Sequence, residues 1–473
     1  MITNKTALRS AILAATLVPA VSMASGYKLN EQSAGGMGTA HAGRAAMAED
    51  ASVVFYNPAA MTELKSAQMT AGTTYIEGDG EFEGSGQNAA QFPSSFEGYN
   101  NGGDFLGSSF IPFVYSVMPV TSDLALGLGV FVPFGTNTDY DDGFVGGQFA
   151  DETSLRSLEI QPSVAYKIND QLSVGGGIDI IYIEGLLSKD VDLIPFNSQV
   201  PALSNTDYIG PENHYEVSGD DWAIGWNLGV YYKLSDSTTF GFAYRSEIDV
   251  ELTGDSEFET TTGLEVYNSQ AGAVVAIPNA RAQASKVPLT TPQSATFSLV
   301  HQLTEELKLQ AGATWTGWSS FQNFDVIATE NAAGGLGDGA TDPSDLAGLG
   351  NGYIGHIDES WVDVWAIAFG GTYQLNDRLA LRAGYAYDQS PVRDEYRTAR
   401  VPSSDRQWLT FGAGYKLDQN LSFDVAAGYL FMYPMDLSEV NKTLDNQQKD
   451  AAELNGEYEI DVFGLSAQVN YAF

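Results

Sequence analysis

The chain lacks cysteine altogether, holds only four histidines, and is poor in basic residues. Without cysteine there is no disulfide framework and no thiolate metal site. Lys and Arg together number 22 against 60 Asp and Glu, a net charge of −38. Nucleic acid, which is bound by clustered Lys and Arg, is excluded as a partner. None of His41, His214, His301 and His356 stands beside a recognisable Ser or Asp partner. The chain therefore does not read as an enzyme, and no cofactor is expected. "DYDDG" (139–143) lacks the ligand spacing of a calcium loop, so no metal is expected either. Gly35, Gly36 and Gly38 have no strand before them, which a nucleotide-binding loop needs. Long apolar runs are missing too. Residues 11–21 are apolar but too few to span a bilayer, and no later segment offers about 20 in a row.

Glycine, at 50 residues, and aromatics, at 12%, are abundant. Lys5 and Arg9, the apolar stretch after them and Ser22-Met23-Ala24 read as an export signal over residues 1–24, with the mature chain starting at Ser25. The alternative is an ordinary hydrophobic N-terminal helix. A turn phrase then recurs: "YSVMPVTSDLAL" (115–126), "YKINDQL" (166–172), "YKLSDSTTF" (232–240), "HQLTEELKL" (301–309), "YQLNDRLAL" (373–381) and "YKLDQNLSF" (415–423). Each joins two alternating apolar runs through a few polar residues, as a tight hairpin does. The segments between these turns are long and rich in Gly, Asp, Asn and Ser. Short turns at one end and long loops at the other is the layout of an outer-membrane barrel.

The runs themselves agree. Trp222, Ile224, Trp226, Leu228, Val230 and Tyr232 alternate with smaller or polar residues, and so do Leu421, Phe423, Val425, Ala427, Tyr429 and Phe431. A soluble sandwich alternates as well; the export signal and the aromatics near strand ends favour the membrane. The terminal "VFGLSAQVNYAF" looks like the assembly signal read by the barrel-assembly machinery of bacterial outer membranes. Six turns pair twelve strands, and one strand is needed before them (67–76) and one after (457–473). The expectation is an all-β fold: a 14-stranded antiparallel transmembrane β-barrel over residues 66–473. That is wider than the eight strands whose side chains fill the interior, so it needs a plug. Residues 25–65, rich in Ala and Gly without strand alternation, are the candidate hatch, and Asn57, Pro58 and Ala59 suit a tight turn.

"GYKLNEQSAGGMGTAHAGRAA" with "NPAA", "VPFG" (132–135), "GWNLGVYYKL…YRSE" (225–247), "TWTGWSSFQ" (314–322), "YAYDQSPV" (385–392), "VPSSDRQWLTFGAGY" (401–415) and the final "NYAF" occur in order. Together they resemble the FadL/TodX family of outer-membrane transporters for long-chain fatty acids and other hydrophobic compounds. The resemblance implies an N-terminal hatch, and a kinked third strand at Pro133, Phe134 and Gly135. The kink would leave a hole in the wall through which substrate leaves sideways into lipid. On position alone, Pro133 equally well ends a strand at the outer rim. The resemblance implies passive movement: outer loops collect substrate, a lumenal pocket binds it, the hatch shifts, and the substrate leaves past the kink. Residues 188–220, 253–290 and 323–360 are expected to be the loops shaping the mouth, with an apolar patch at 271–284.

The family's basic head-group residues are not matched. "YIEGLL" carries Glu184, and "DESWVDVW" has no Lys or Arg. The remaining candidates for a carboxylate are Arg382, Arg393, Arg400 and Arg406. Arg393 and Arg400 also suit balancing Asp394 and Glu395, Arg406 suits pairing with Asp405, and Arg44 in the hatch suits pairing with Glu49 or Asp50. The expected partners are a fatty acid or hydrophobic small molecule, lipopolysaccharide and outer-membrane lipid, with the chain as a monomer. A hydrocarbon channel, a general porin, and an adhesin or phage receptor are the alternatives.

Overall fold

The computed structural model describes residues 26–87, 99–190, 213–260, 265–268, 273–276, 280–329 and 352–473. The expected export signal at 1–24 lies outside them, as do residues 271–272 and 277–279 of the expected apolar patch.

Fourteen antiparallel strands form one closed barrel. They are β1 (Gln68–Gln87), β2 (Ser108–Pro119), β3 (Leu124–Phe131, resuming at Gly135–Asp139), β4 (Glu152–Lys167), β5 (Leu172–Asp190) and β6 (Asn213–Ser235). Next come β7 (Thr238–Arg245 and Ile248–Thr260), β8 (Ala280–Thr291 and Ser294–Gln302), β9 (Leu307–Thr316 and Asn323–Ala328) and β10 (Tyr353–Asp358 and Val364–Gln374). β11 (Leu379–Asp388), β12 (Arg406–Lys416), β13 (Leu421–Met432 and Met435–Lys442) and β14 (Gln448–Ala472) complete the wall. β1 pairs with β14 from Gln68↔Ala472 to Gln87↔Glu453, which joins the first strand to the last and closes the barrel.

All six recurring phrases are hairpin turns. In five of them the same backbone bond closes the turn, from Val120, Ile168, Leu303, Leu375 and Leu417 N–H to the carbonyls of Leu124, Leu172, Leu307, Leu379 and Leu421, each carbonyl also accepting from the next N–H. Those same five leucines donate their N–H to Thr121, Asn169, Thr304, Asn376 and Asp418 side chains. The recurring spacing is thus an Asx- or ST-type cap on a tight turn. Between the turns the large apolar residues face outward: Ile224 is 71% exposed and Phe369 60%. Apolar side chains pointing away from the protein over a whole belt are what a lipid-facing wall requires.

The strands run further than the apolar alternation predicts. β1 continues past Ile76 to Gln87, and β14 begins at Gln448 rather than 457. Much of the expected loops is likewise strand: Asn213–Ser235 begins inside 188–220, Ile248–Thr260 reaches into 253–290, and Asn323–Ala328 and Tyr353–Asp358 pair inside 323–360. In these extensions acids and other polar residues take most of the outward face, while apolar ones such as Ile248, Val250, Leu252, Phe324 and Val326 turn inward, so the lipid-facing apolar period does not mark them. Five strands besides β3 are interrupted. In β7 to β10 the breaks are neighbours, since Ser294 pairs with Arg245 and with Thr316, and Thr316 with Val364. Trp318 and Trp361 sit in two of these breaks and turn inward, fully buried.

The segment from Gly26 to Glu63 folds as short helical turns at Ala34–Met37, Arg44–Ala46, Val53–Tyr56 and Pro58–Glu63. The Ser33 hydroxyl caps the first, accepting from Gly36 N–H, and Asn57 Oδ1 caps the last, accepting from Ala59 N–H at 3.1 Å. The segment touches strands on every side of the wall, and so lies within the barrel. Contact is close because the wall presents glycine. A Cβ at Gly241 would collide with the Ala45 carbonyl, and one at Gly384 with Thr39.

Candidate functional site: the interrupted third strand and the lumen

β3 pairs with β2 only as far as Phe131↔Phe113, and with β4 as far as Phe131↔Glu159. It resumes at Gly135↔Arg156, beside β4 alone. Four steps along β3 therefore match three along β4, which is a one-residue bulge. Pro133 has no N–H, and the facing strand carries Pro112, also without a donor. Ser108–Pro112 of β2 remain paired with β1 only. The ladder between β2 and β3 therefore stops partway up the wall.

The freed backbone groups are taken up from within. Leu29 N–H donates to Pro133 O at 2.8 Å, Gly135 N–H to Tyr27 O at 2.9 Å, and Gln32 Nε2 to Val132 O at 2.6 Å. Phe134 N–H donates to Ser157 Oγ at 3.0 Å. Residues 27–29 thus run along the interruption as a substitute strand, with Lys28 opposite Phe134. Above, Asp139 N–H donates to Phe105 O, so the segment before β2 covers the upper part.

The lumen above this point is apolar. The Tyr27 ring meets Trp318, Phe321, Phe134 and Trp361 at 4.6 to 5.9 Å. Leu155, Leu187, Leu252, Val287 and Phe324 extend the same surface as a cleft beside Tyr27. A second apolar group, with Leu29, Val132, Phe105, Ile111 and Ile460, lines the other side. Residues 389–405, between β11 and β12, fold inward over the resumed half of β3: Thr138 Oγ1 donates to Arg400 O at 3.0 Å, and the Tyr140 hydroxyl to Ala399 O at 2.6 Å. Val401 reaches the cleft.

The predicted residues fall in different places. Asn57 Nδ2 donates to Ala45 O at 2.6 Å and to Val230 O at 3.0 Å, tying the segment to itself and to β6. Pro58 and Ala59 are buried beneath it. Arg44 pairs with neither Glu49 nor Asp50. Its Nη1 donates to Asn30 Oδ1 and its Nη2 to Thr314 Oγ1, because the chain reverses after Ala46 and carries both acids toward β9 and β14. Glu49 instead pairs with Lys308 and Arg382. Arg382, also bonded to Asp424 at 2.6 Å, is held in that network away from the apolar cleft. Arg393 lies at the surface beside Glu395. Arg400 is buried and donates to Thr153 Oγ1 rather than to Asp394 or Glu395. Arg406 is buried and donates to Ser403 Oγ, while Asp405 accepts from the Tyr387 hydroxyl and Ser390 N–H. The Pro133, Phe134 and Gly135 positions coincide with the break.

The sequence motifs contained, but did not single out, Lys28 and Arg245. Arg245 Nη1, on β7, bonds Asp179 of β5 and Glu159 of β4 over the inner face of the wall at 3.1 and 2.9 Å.

A profile of the family described as outer membrane protein transport protein (OMPP1/FadL/TodX) matches residues 15–473. Outer membrane protein P1 of Haemophilus influenzae is 30% identical over 99% of this chain and 99% of its own. The long-chain fatty acid transport protein of Escherichia coli O6:H1 is 26% identical over 98% of this chain and 97% of its own. The crystal structure of a Pseudomonas aeruginosa FadL homologue matches with a TM-score of 0.79 at 26% identity, covering 95% of this chain and 100% of that one. With the closed barrel and its lipid-facing belt, these matches make the chain a bacterial outer-membrane transport protein of the OMPP1/FadL/TodX family.

Proposed function

We propose that this chain carries long-chain fatty acids passively across the outer membrane and releases them sideways through the interruption of β3. The observation that carries the reading is the break itself: its backbone is bonded to residues 27–32 rather than to β2. A wall stitched to a non-wall segment opens when that segment moves. The segment Gly26–Glu63 acts as the hatch, closed at rest and shifted as a population change between two arrangements. Substrate descends from the outer loops through the apolar lumen, with Tyr27 and Leu29 meeting it at the break.

Sideways release follows from energetics. Each methylene is worth about 0.8 kcal/mol out of water, so a sixteen-carbon chain dropped into aqueous periplasm loses roughly 12 kcal/mol. Exit into lipid avoids that loss. The relative named a long-chain fatty acid transport protein supports the substrate class. In this reading the chain works as a monomer, without catalysis, and meets lipopolysaccharide at its outer rim. A second reading, a channel for neutral hydrocarbons, is favoured by the apolar cleft beside Tyr27, which holds no basic residue.

The test is uptake of labelled oleate, with toluene in parallel, in a host lacking its own fatty-acid transporter. Oleate uptake is expected. Toluene uptake alone assigns the hydrocarbon reading. Free ion flow with neither substrate taken up makes the chain a porin and removes the hatch.

A further inference from the structure

Residues 27–31 alternate as an extended strand does. Tyr27, Leu29 and Glu31 are buried, whereas Lys28 and Asn30 keep partial exposure. Tyr27 and Leu29 join the two apolar groups of the lumen. Lys28 and Asn30 line a separate cavity, shared with Arg44, Arg245, Ser294 and Thr296. Arg44 follows the same pattern, partly exposed between buried Gly43 and Ala45. No carboxylate is among the described residues lining this cavity.

The cations there are balanced unequally. Arg245 is compensated within the wall by Glu159 and Asp179. Arg44 gives its hydrogen bonds to neutral oxygens, Asn30 Oδ1 at 3.1 Å and Thr314 Oγ1 at 2.6 Å, and makes no ion pair among the described residues. A largely buried guanidinium whose acids, Asp388 and Glu31, act on it without a direct ion pair is under-compensated, and an anion placed beside it relieves that cost. A planar carboxylate matches the guanidinium fork, with an ammonium beside it as a point charge. The cavity is also beside the break, because Lys28 stands opposite Phe134. A molecule with its charged end here has apolar surface within reach on both sides of the same short segment.

We propose that the cavity bounded by Lys28, Arg44 and Arg245 receives the carboxylate of a fatty acid, with Lys28 and Arg44, both carried by the N-terminal segment, as the recognising groups. The proposal rests on the transport reading above and deepens it. It places head-group recognition on the segment stitched to the break, not on the arginines of β11, β12 or the intervening loop. Recognition and the closed state of the wall then depend on the same few residues.

The test is equilibrium binding of labelled oleate and oleyl alcohol to the purified full-length protein in detergent. Wild type is compared with Lys28→Gln, Arg44→Gln and Lys28→Arg, folding being followed by heat-dependent mobility on gels. Wild type is expected to prefer oleate. Lys28→Gln and Arg44→Gln should each lose roughly tenfold in oleate affinity, the scale of one charge-assisted contact, with oleyl alcohol unchanged and Lys28→Arg close to wild type. If Arg44→Gln does not fold, Lys28→Gln decides alone, since its backbone bonds are kept. Folded variants that bind oleate like wild type, or lose both ligands equally, overturn the carboxylate site and leave hydrophobic transport standing. A wild type that binds neither ligand overturns the transport reading and the site with it.

Discussion

Asn57 shows how a single side chain joins the N-terminal segment to the wall. Its amide accepts from Ala59 N–H and donates to both Ala45 O and Val230 O. Asn57→Asp keeps the size and the cap but sets a carboxylate against two carbonyls. The expected cost is about 2–3 kcal/mol, because buried carbonyls lose their donors and face like partial charge. If the segment is the hatch, planar-bilayer recordings should show open currents in this variant where wild type is quiet; silent traces would mean that the plug does not depend on this contact. The capping part of this role was legible in Asn-Pro-Ala, where an Asn before Pro suits a turn. The partners Ala45 and Val230 were not, because nothing local in the sequence brings β6 to the cap. The same holds for Arg44. Its nearest acids in sequence, Glu49 and Asp50, are not its partners, since the short turns that intervene reverse the chain.

At the scale of the strand, the bulge in β3 is the feature that changes what the wall can do. Deleting Val132 removes the extra residue and brings both halves of β3 into one unbroken register with β4, drawing the resumed half back into line with the wall. Oleate uptake should fall by at least tenfold while the barrel still assembles; unchanged uptake would leave the break without a role in exit. The extensions of β1 and β14 carry another prediction. Asp79 stands opposite Asp461, Glu81 opposite Glu459 and Glu83 opposite Glu457, all on the exposed face. Like charges directly opposed across a ladder weaken it, so Glu81→Lys should strengthen the pair by up to about 1 kcal/mol and raise the thermal midpoint at low salt, the gain shrinking as salt is added. Pro133, the one sequence signal in this strand, lies in its interruption between Phe131 and Gly135. The breaks in β9 and β10, at Gly317–Gln322 and Glu359–Asp363, contain no proline, and only their alignment with the breaks in β7 and β8 gives them meaning.

For the whole molecule, the lipid is the solvent for one face and the N-terminal segment fills the other. Phe369, mid-strand on β10 and 60% exposed, faces outward. Phe369→Arg should destabilise the folded barrel by about 2–4 kcal/mol if it sits near the bilayer midplane, measured by urea unfolding in vesicles. A smaller loss would place this residue nearer an interface.

The strand number, the six turns and the outward faces were determined by the sequence alone, because a tight turn and a period of two are local and lipid demands both without exception. The family resemblance followed from motifs spread along the whole chain. What only the tertiary structure decided is who meets whom in the lumen. Residues 27–29 pair with a strand about a hundred positions away, Arg382 is drawn to Glu49 rather than to the cleft, and Lys28 comes to share a cavity with Arg44 and Arg245. These meetings are set by barrel closure around a segment without secondary-structure period, and closure is a property of all fourteen strands at once.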